Sequence, residues 1–213
     1  MEELNMQKIF SKADSRIALK VYTGHFATPH SHITRYLDMT TLKSRSSEAA
    51  AVAETLAQKY TAHTIVDTIV CLDNTDVIGA YLAQELTRSG VISMNAHQTI
   101  YVIKPEFAGG QVLFRENYKP MLEGKNVFIL MGTATTGESL EACVDSAIYY
   151  GGRITGIAAI FSAINKIAGM QVESIFNIQD VPNYASYKPC DCPMCKKHQK
   201  IDALINGYGF SKL

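Results

Sequence analysis

The stretch that most restricts how this chain folds runs from Lys125 to Tyr150. Val127 to Met131 is an unbroken apolar run, which suits a strand buried on both faces of a parallel sheet. Gly132-Thr133-Ala134-Thr135-Thr136-Gly137 follows, every residue small or hydroxylated. Beyond it, Leu140, Cys143, Val144, Ala147 and Ile148 recur at helical spacing, and Gly151-Gly152 marks the stop. Strand, small-residue loop and helix in that order aim several backbone N–H groups and the positive end of a helix dipole at one place, where a phosphate fits. Thr135 and Glu138 also have the spacing of a capping box, which closes the same turn with no ligand. The sequence leaves both readings open.

The same alternation recurs through the middle of the chain. Ser46 to Tyr60 reads as a helix capped by Ser46 or Ser47, with Ala49, Val52, Ala53 and Leu56 on one face. Ile65 to Leu72 is a buried strand that ends in Asp73-Asn74-Thr75-Asp76. A helix follows with Val77, Ile78, Leu82 and Leu86 inward, closed by Gly90. Thr99 to Ile103, Ile154 to Phe161 and Val172 to Ile178 supply further strands, with a short helix expected over Ser162 to Ile167. Strands alternating with helices predict an α/β fold, a Rossmann-like parallel β-sheet with helices on both faces. The loop at 73–76 should then lie at the same sheet edge as the loop at 132–137. Its two aspartates suit hydroxyls or a hydrated cation, and equally suit simple helix capping. After the third strand, Lys104-Pro105-Glu106 and Gly109-Gly110 predict a hairpin, either a solvated edge or a mobile flap, with Lys104, Arg115 and Lys119 near it.

At 213 residues one domain is the simplest organisation. Twenty basic residues balance 20 acidic ones, which leaves no electrostatic footprint for nucleic acid or an anionic membrane. No apolar run approaches membrane-spanning length, and Met1-Glu2-Glu3-Leu4-Asn5 has no signal-peptide core, so the expected location is cytoplasmic. Asn5 to about Lys20 reads as a polar helix and Tyr22 to Asp38 as a turn-rich surface loop. That loop holds three histidines, His25, His30 and His32, but their H-x4-H-x-H spacing is loose, and a surface loop accounts for them better than a metal site.

Of five cysteines, Cys71 and Cys143 sit in apolar segments and read as reduced core thiols. The other three crowd into Cys190-Asp191-Cys192-Pro193-Met194-Cys195-Lys196-Lys197-His198. Cys190, Cys192, Cys195 and His198 could supply four ligands to Zn2+; thiol redox chemistry and plain reduced thiols are the alternatives. Ile201 to Leu213 is apolar enough to dock on the core or on a second subunit.

Taken together, the chain resembles the type I phosphoribosyltransferases, orotate phosphoribosyltransferase most of all. Lys20 with Gly24-His25-Phe26-Ala27-Thr28 and Tyr36-Leu37-Asp38 is similar to that family's N-terminal hood. Ile69 to Leu82 resembles the strand and helix around its pyrophosphate loop. Ala134 to Leu140 resembles the loop that holds the 5′-phosphate of phosphoribosyl pyrophosphate (PRPP). The resemblance implies a hood over 1–45, an α/β core over 46–180 and a Cys-containing arm over 181–213. It also implies phosphate binding by Thr133, Ala134, Thr135, Thr136, Gly137, Glu138 and Ser139, and a pyrophosphate or cation loop of Asp73, Asn74, Thr75 and Asp76. Catalytic roles fall to Lys20 and Lys104, Mg2+ accompanies PRPP, a nitrogenous base is the second substrate, and the protein is a homodimer. Three positions depart from the family. Met131-Gly132 stands where it has two adjacent acids, Asp73 to Asp76 replaces small residues and a glycine pair, and the flap keeps Lys104 alone. Two functions follow. One is transfer of ribose 5-phosphate from PRPP to a base in nucleotide metabolism. The other is a non-catalytic sensor of a nucleoside monophosphate or phosphosugar that kept only the phosphate loop.

Overall fold

The structure is a computed structural model that describes residues 5–88, 93–96, 98–109, 111–207 and 209–213. The chain opens with β1 (Met6–Phe10), β2 (Ala18–Ala27) and β3 (His32–Asp38), paired antiparallel so that Met6 lies opposite Tyr22 and Lys20 opposite Asp38. This corrects two expectations, the helix over Asn5 to Lys20 and the loop over Tyr22 to Asp38. Residues 6–10 carry no apolar stripe that a helix would bury, whereas Leu19 and Val21 alternate inward with the period of a strand. A bulge between Thr23 and Phe26 breaks that alternation and turns His25 and Phe26 inward together.

Next come α1 (Thr40–Ser44) and α2 (Ser46–Ala57); α2 starts from Arg45 without the side-chain cap expected of Ser46 or Ser47. β4 (Thr68–Cys71), α3 (Asp76–Thr87) and β5 (Tyr101–Ile103) form the first crossover unit. Gly90, expected to end α3, lies outside the described residues. The hairpin at Gly109 is present as β6 (Glu106–Ala108) and β7 (Gln111–Leu113), with Gly110 outside the described residues. β8 (Asn126–Ala134), α4 (Glu138–Tyr149) and β9 (Arg153–Ser162) follow, and Gly151 takes the left-handed φ of 85° that ends α4.

The helix expected over Ser162 to Ile167 is absent. The Ser162 hydroxyl instead donates to the Ile164 carbonyl at 2.6 Å, and β10 (Lys166–Ile167) and β11 (Met170–Gln171) form a hairpin. Ala168 and Gly169 turn it with φ of 47° and 79°, the handedness that a two-residue hairpin loop requires. β12 (Glu173–Asn177), β13 (Ser186–Tyr187), α5 (Pro193–Lys196), β14 (Ala203–Asn206) and β15 (Gly209–Lys212) complete the described chain.

Over the described residues the central sheet has the order β12-β9-β8-β4-β5, and all its pairs are parallel. Phe128 and Leu130 of β8 face α2 and α3, while Val127, Ile129 and Met131 face α4, the period-two split of a strand buried on both sides. α3 and α4 therefore leave neighbouring strands β4 and β8 toward opposite faces. In sheets of this kind the crevice at that switch is where ligands sit. A second sheet, β13-β3-β2-β14-β15 with β1 also on β2, stands over this crevice and joins the N-terminal hood to the C-terminal arm. Cys71 and Cys143 are buried, and desolvation pushes both thiols up to about 12, so they stay protonated. No described helix is long and apolar enough to cross a membrane.

Candidate functional site

The floor of the crevice is made where β4 and β8 end. Asp73 and Asn74 take φ of 54° and 58°, a left-handed turn that Asp and Asn tolerate better than most residues. The turn swings the Asp73 carboxylate across to β8, where the N–H groups of Gly132 and Thr133 donate to it, the latter at 3.2 Å. A Cβ at position 132 would lie 3.2 Å from the Asp73 side chain, so Gly132 leaves the room that Asp73 takes. Burial raises the Asp73 pKa above its ordinary 3.8, partly offset by the Thr133 N–H and by the Lys43 ammonium.

Asp73 thus contributes stability that is present below pH 3.8 and lost as pH rises through its raised value. Asp73→Asn keeps an oxygen for the Thr133 N–H and removes the charge. The variant is expected to be more stable than the parent at pH 7, with the difference vanishing toward pH 3.8. Urea denaturation across that range measures it. A variant less stable at pH 7 would mean that the N–H partners and Lys43 outweigh the burial of the carboxylate.

One wall is the loop between β8 and α4. Gly137, at φ 89°, is the N-cap residue of α4, so the first-turn N–H groups of that helix open onto the crevice. The capping box expected of Thr135 and Glu138 does not form. Thr135 Oγ1 meets the Tyr184 hydroxyl at 3.1 Å, and the Glu138 carboxylate reaches His30 Nδ1 at 2.9 Å on the hood. The Thr136 hydroxyl accepts from the Glu138 N–H at 3.5 Å.

Hood and arm supply the rest of the enclosure. Lys43 Nζ donates to the Asp73 carbonyl at 2.9 Å and to the Gly207 carbonyl at 3.0 Å; Asn74 Nδ2 reaches Gly207 O at 3.3 Å. One ammonium therefore ties the arm to the floor, and its burial lowers its pKa against the pull of Asp73 and Asp38. The resulting cavity of about 340 Å³ is lined by Tyr36, Met39, Lys43, Asp73, Asn74, Met131, residues 133–139, Tyr184 and 205–207, among others. That volume suits a small phosphorylated metabolite.

Of the residues singled out from sequence, Asp73, Asn74, Thr133, Ala134, Thr135, Thr136, Gly137, Glu138 and Ser139 converge on this cavity. Of the phosphate, pyrophosphate and catalytic candidates, Thr75, Asp76, Lys20 and Lys104 do not line it. Thr75 is buried beneath, bonding the Leu72 and Leu130 carbonyls, and Asp76 lies 3.4 Å from the Lys104 ammonium on the exposed side. Lys20 sits on β2 opposite Asp38. Lys43, Tyr184 and Gly207 were not singled out, because an isolated lysine, tyrosine or glycine carries no pattern that marks it, and His30 was read only with the loop histidines.

The cysteine cluster divides in the structure. Cys190 is exposed, and neither it nor His198 joins a group of donors. Cys192 and Cys195 do, but with His25 and His32 from the hood, and all four donor atoms lie within 4.8 Å of one another. It is the one group of three or more His, Cys, Asp or Glu donors among the described residues. Its two imidazoles and two thiols are donors that could hold a metal ion. Among the described residues, the cavity has no comparable gathering of carboxylates to hold Mg2+.

No protein-family model and no curated protein sequence matches the chain. Solved structures do. The UMP synthase of Leishmania donovani aligns at a TM-score of 0.54 and 16% identity, covering 84% of this chain and 36% of that one. An adenine phosphoribosyltransferase from Thermoanaerobacter pseudethanolicus aligns at 0.51 and 17%, covering 81% and 95%. The orotate phosphoribosyltransferase of Mycobacterium tuberculosis gives 0.49 and 16%, covering 69% and 80%. The chain thus spans about a third of the synthase (36%) and nearly all of the adenine enzyme's length (95%). The fold is that of the type I phosphoribosyltransferases.

Proposed function

We propose that the cavity binds a 5′-phosphorylated ribose, with the phosphate on residues 133–139 and the attached group beneath the hood. The carrying observation is the left-handed Gly137 that starts α4 at the cavity wall, directly at the β4/β8 switch. First-turn N–H groups, of which only that of Glu138 makes a long bond to the Thr136 hydroxyl, and the helix dipole favour a dianion there, and the Thr and Ser hydroxyls add donors. Tyr36, Ile33 and Met39 give the hood side an apolar surface for a flat base.

Transfer chemistry has less support. Cleavage at the sugar carbon develops positive charge, and anions aimed at such charge are commonly worth two or three powers of ten in rate, roughly 3–4 kcal/mol. Met131 and Gly132 provide none, and Asp73 is engaged by backbone N–H groups. The cavity's other carboxylate, Glu138, is held by His30. Among the described residues, the carboxylates lining the cavity are Asp73 and Glu138, and both are already engaged, which leaves Mg2+ no free carboxylate ligand there. The reading we favour is a nucleotide or phosphosugar sensor. The second reading, phosphoribosyl transfer from PRPP to a base, draws on Lys104 and the β6–β7 hairpin that follows it.

Calorimetric titration with ribose 5-phosphate, several nucleoside monophosphates and PRPP, each with and without Mg2+, tests both. The sensor reading expects a monophosphate to bind without Mg2+ and no turnover of PRPP with orotate or adenine. Binding of PRPP that strengthens with Mg2+, together with turnover, would replace it by the transferase reading. Failure of every phosphate ligand would overturn both. We further propose, from the family resemblance, a single-domain protein that forms a homodimer in the cytoplasm; sedimentation velocity reads the dimer.

A further inference from the structure

We propose that His25, His32, Cys192 and Cys195 form a structural zinc site that clamps the C-terminal arm across the cavity. The spacing of the donor atoms is the first argument. Zinc bonds of about 2.0–2.1 Å to nitrogen and 2.3 Å to sulfur, at tetrahedral angles, put nitrogens about 3.4 Å apart and nitrogen and sulfur about 3.6 Å apart. Here His25 Nε2 lies 3.1 Å from His32 Nδ1, 3.6 Å from Cys192 Sγ and 3.7 Å from Cys195 Sγ, and Cys195 Sγ lies 3.2 Å from His32 Nδ1.

The tautomer is the second. His25 Nδ1 faces the carbonyl oxygens of Gln199 at 3.0 Å and Lys200 at 3.2 Å, which can only accept. The ring proton is therefore on Nδ1, and the single Nε2 lone pair points into the group. Three neighbours crowd that lone pair, whereas it can take one hydrogen bond; a single cation serves all four donors. An imidazole fixed through its other nitrogen by a carbonyl is also how metal-bound histidines are oriented. His25 and Cys192 are fully buried, as ligands of a closed structural site are. The ligands come in pairs from two segments, the bulged β2–β3 hairpin and the Cys-Pro-Met-Cys turn into α5.

The clamp follows from what the arm does next. Asp202 makes two hydrogen bonds to the His25 backbone, its carboxylate accepting from the His25 N–H at 2.7 Å and its own N–H donating to His25 O at 2.8 Å. A Cβ at Gly24 would lie 2.7 Å from that carboxylate, so the glycine leaves room for it. β14 then pairs with Phe26 and Ala27, and the chain delivers Asn206 and Gly207 to the cavity, where Lys43 and Asn74 hold the Gly207 carbonyl. Metal bound at the hood fixes the origin of this run.

The test uses the whole protein and does not depend on what the cavity binds. Elemental analysis of protein produced with Zn2+ should give one zinc per chain. Exchange into Co2+ should give the strong visible absorption of a tetrahedral site with thiolate charge transfer. Stripping with a chelator should speed amide exchange over residues 200–207 by about tenfold or more, and Zn2+ should reverse it. Cys192→Ser and His32→Ala should lose the metal, while Cys190→Ser and His198→Ala keep it. If the first pair does not fold, the wild-type stripping and the second pair decide. Absence of metal, with Cys192 and Cys195 titrating as free thiols or found as a disulfide, overturns the site. Loss of metal in the Cys190 or His198 variant overturns the ligand assignment, and unchanged exchange over 200–207 overturns the clamp.

Discussion

Phe128→Ala is expected to destabilise the protein by about 3–5 kcal/mol and to lower its Tm by roughly 6–20 °C. Phe128 is fully buried in the middle strand of the parallel sheet and meets the Tyr60 ring edge-to-face, with centroids 4.7 Å apart and planes at 89°. Such a pair adds about 0.5–1.5 kcal/mol beyond the area it buries. Collapse around the void is limited, because the neighbouring strand offers Gly156, which has no side chain to move in. A Cβ at Gly156 would stand 2.6 Å from the Phe128 ring, so Gly156→Ala is itself destabilising in the parent. In the Phe128→Ala background that overlap is gone, and the double variant should cost less than the sum by about 0.5–3 kcal/mol. Urea denaturation with unchanged m values measures the cycle. A loss below about 1 kcal/mol for Phe128→Ala, or strict additivity, would contradict this packing.

The central sheet was legible because its inner strands are buried on both faces and read as plain apolar runs, such as Val127 to Met131, and those of β4 and β8 are followed by a helical pattern. Local signals suffice for that. The hood was not legible. Met6 to Phe10 is a mostly exposed strand and Ala18 to Ala27 a half-buried one that also pairs with the distant β14, and their polar content reads as helix or loop. The arm made this harder, since β14 is 177 residues from the His25 region that Asp202 binds.

The same distance hid the donor group. Cys192 and Cys195 stand at a spacing that invites a metal, but their partners lie on the hood, His25 being 167 residues from Cys192. The nearby Cys190 and His198 were the natural local candidates, and neither joins the group that the fold brings together. At the cavity, the small residues of 132–137 marked the loop, but the reason for Gly132 was not in its own neighbourhood. It is Asp73, arriving from the adjacent strand, that needs the space.

Gly137→Val should weaken nucleoside monophosphate binding by about 100-fold or more while leaving the protein folded. Gly137 holds φ 89°, where a β-branched residue is strained by about 1–3 kcal/mol. Its Cβ would also fall 2.9 Å and 3.0 Å from the terminal methyls of Ile164 and Ile167. The backbone must then leave the left-handed turn, and the N–H groups that open α4 no longer point at one spot. Two charge-assisted hydrogen bonds lost at about 1.5 kcal/mol each give the 100-fold. The helix itself keeps Leu140, Cys143, Val144 and Ala147 in the core, so Tm should fall by only about 2–12 °C. Glu138→Gln, one residue on, should act in the opposite direction. It removes the anion that now sits at the positive end of α4 and answers His30. A gain of about 2–5-fold in phosphate affinity is expected, larger at low salt. Opposite signs at adjacent positions would separate a phosphate site from a turn that merely starts a helix, because a structural turn predicts loss of stability at Gly137 and no effect of either change on a ligand.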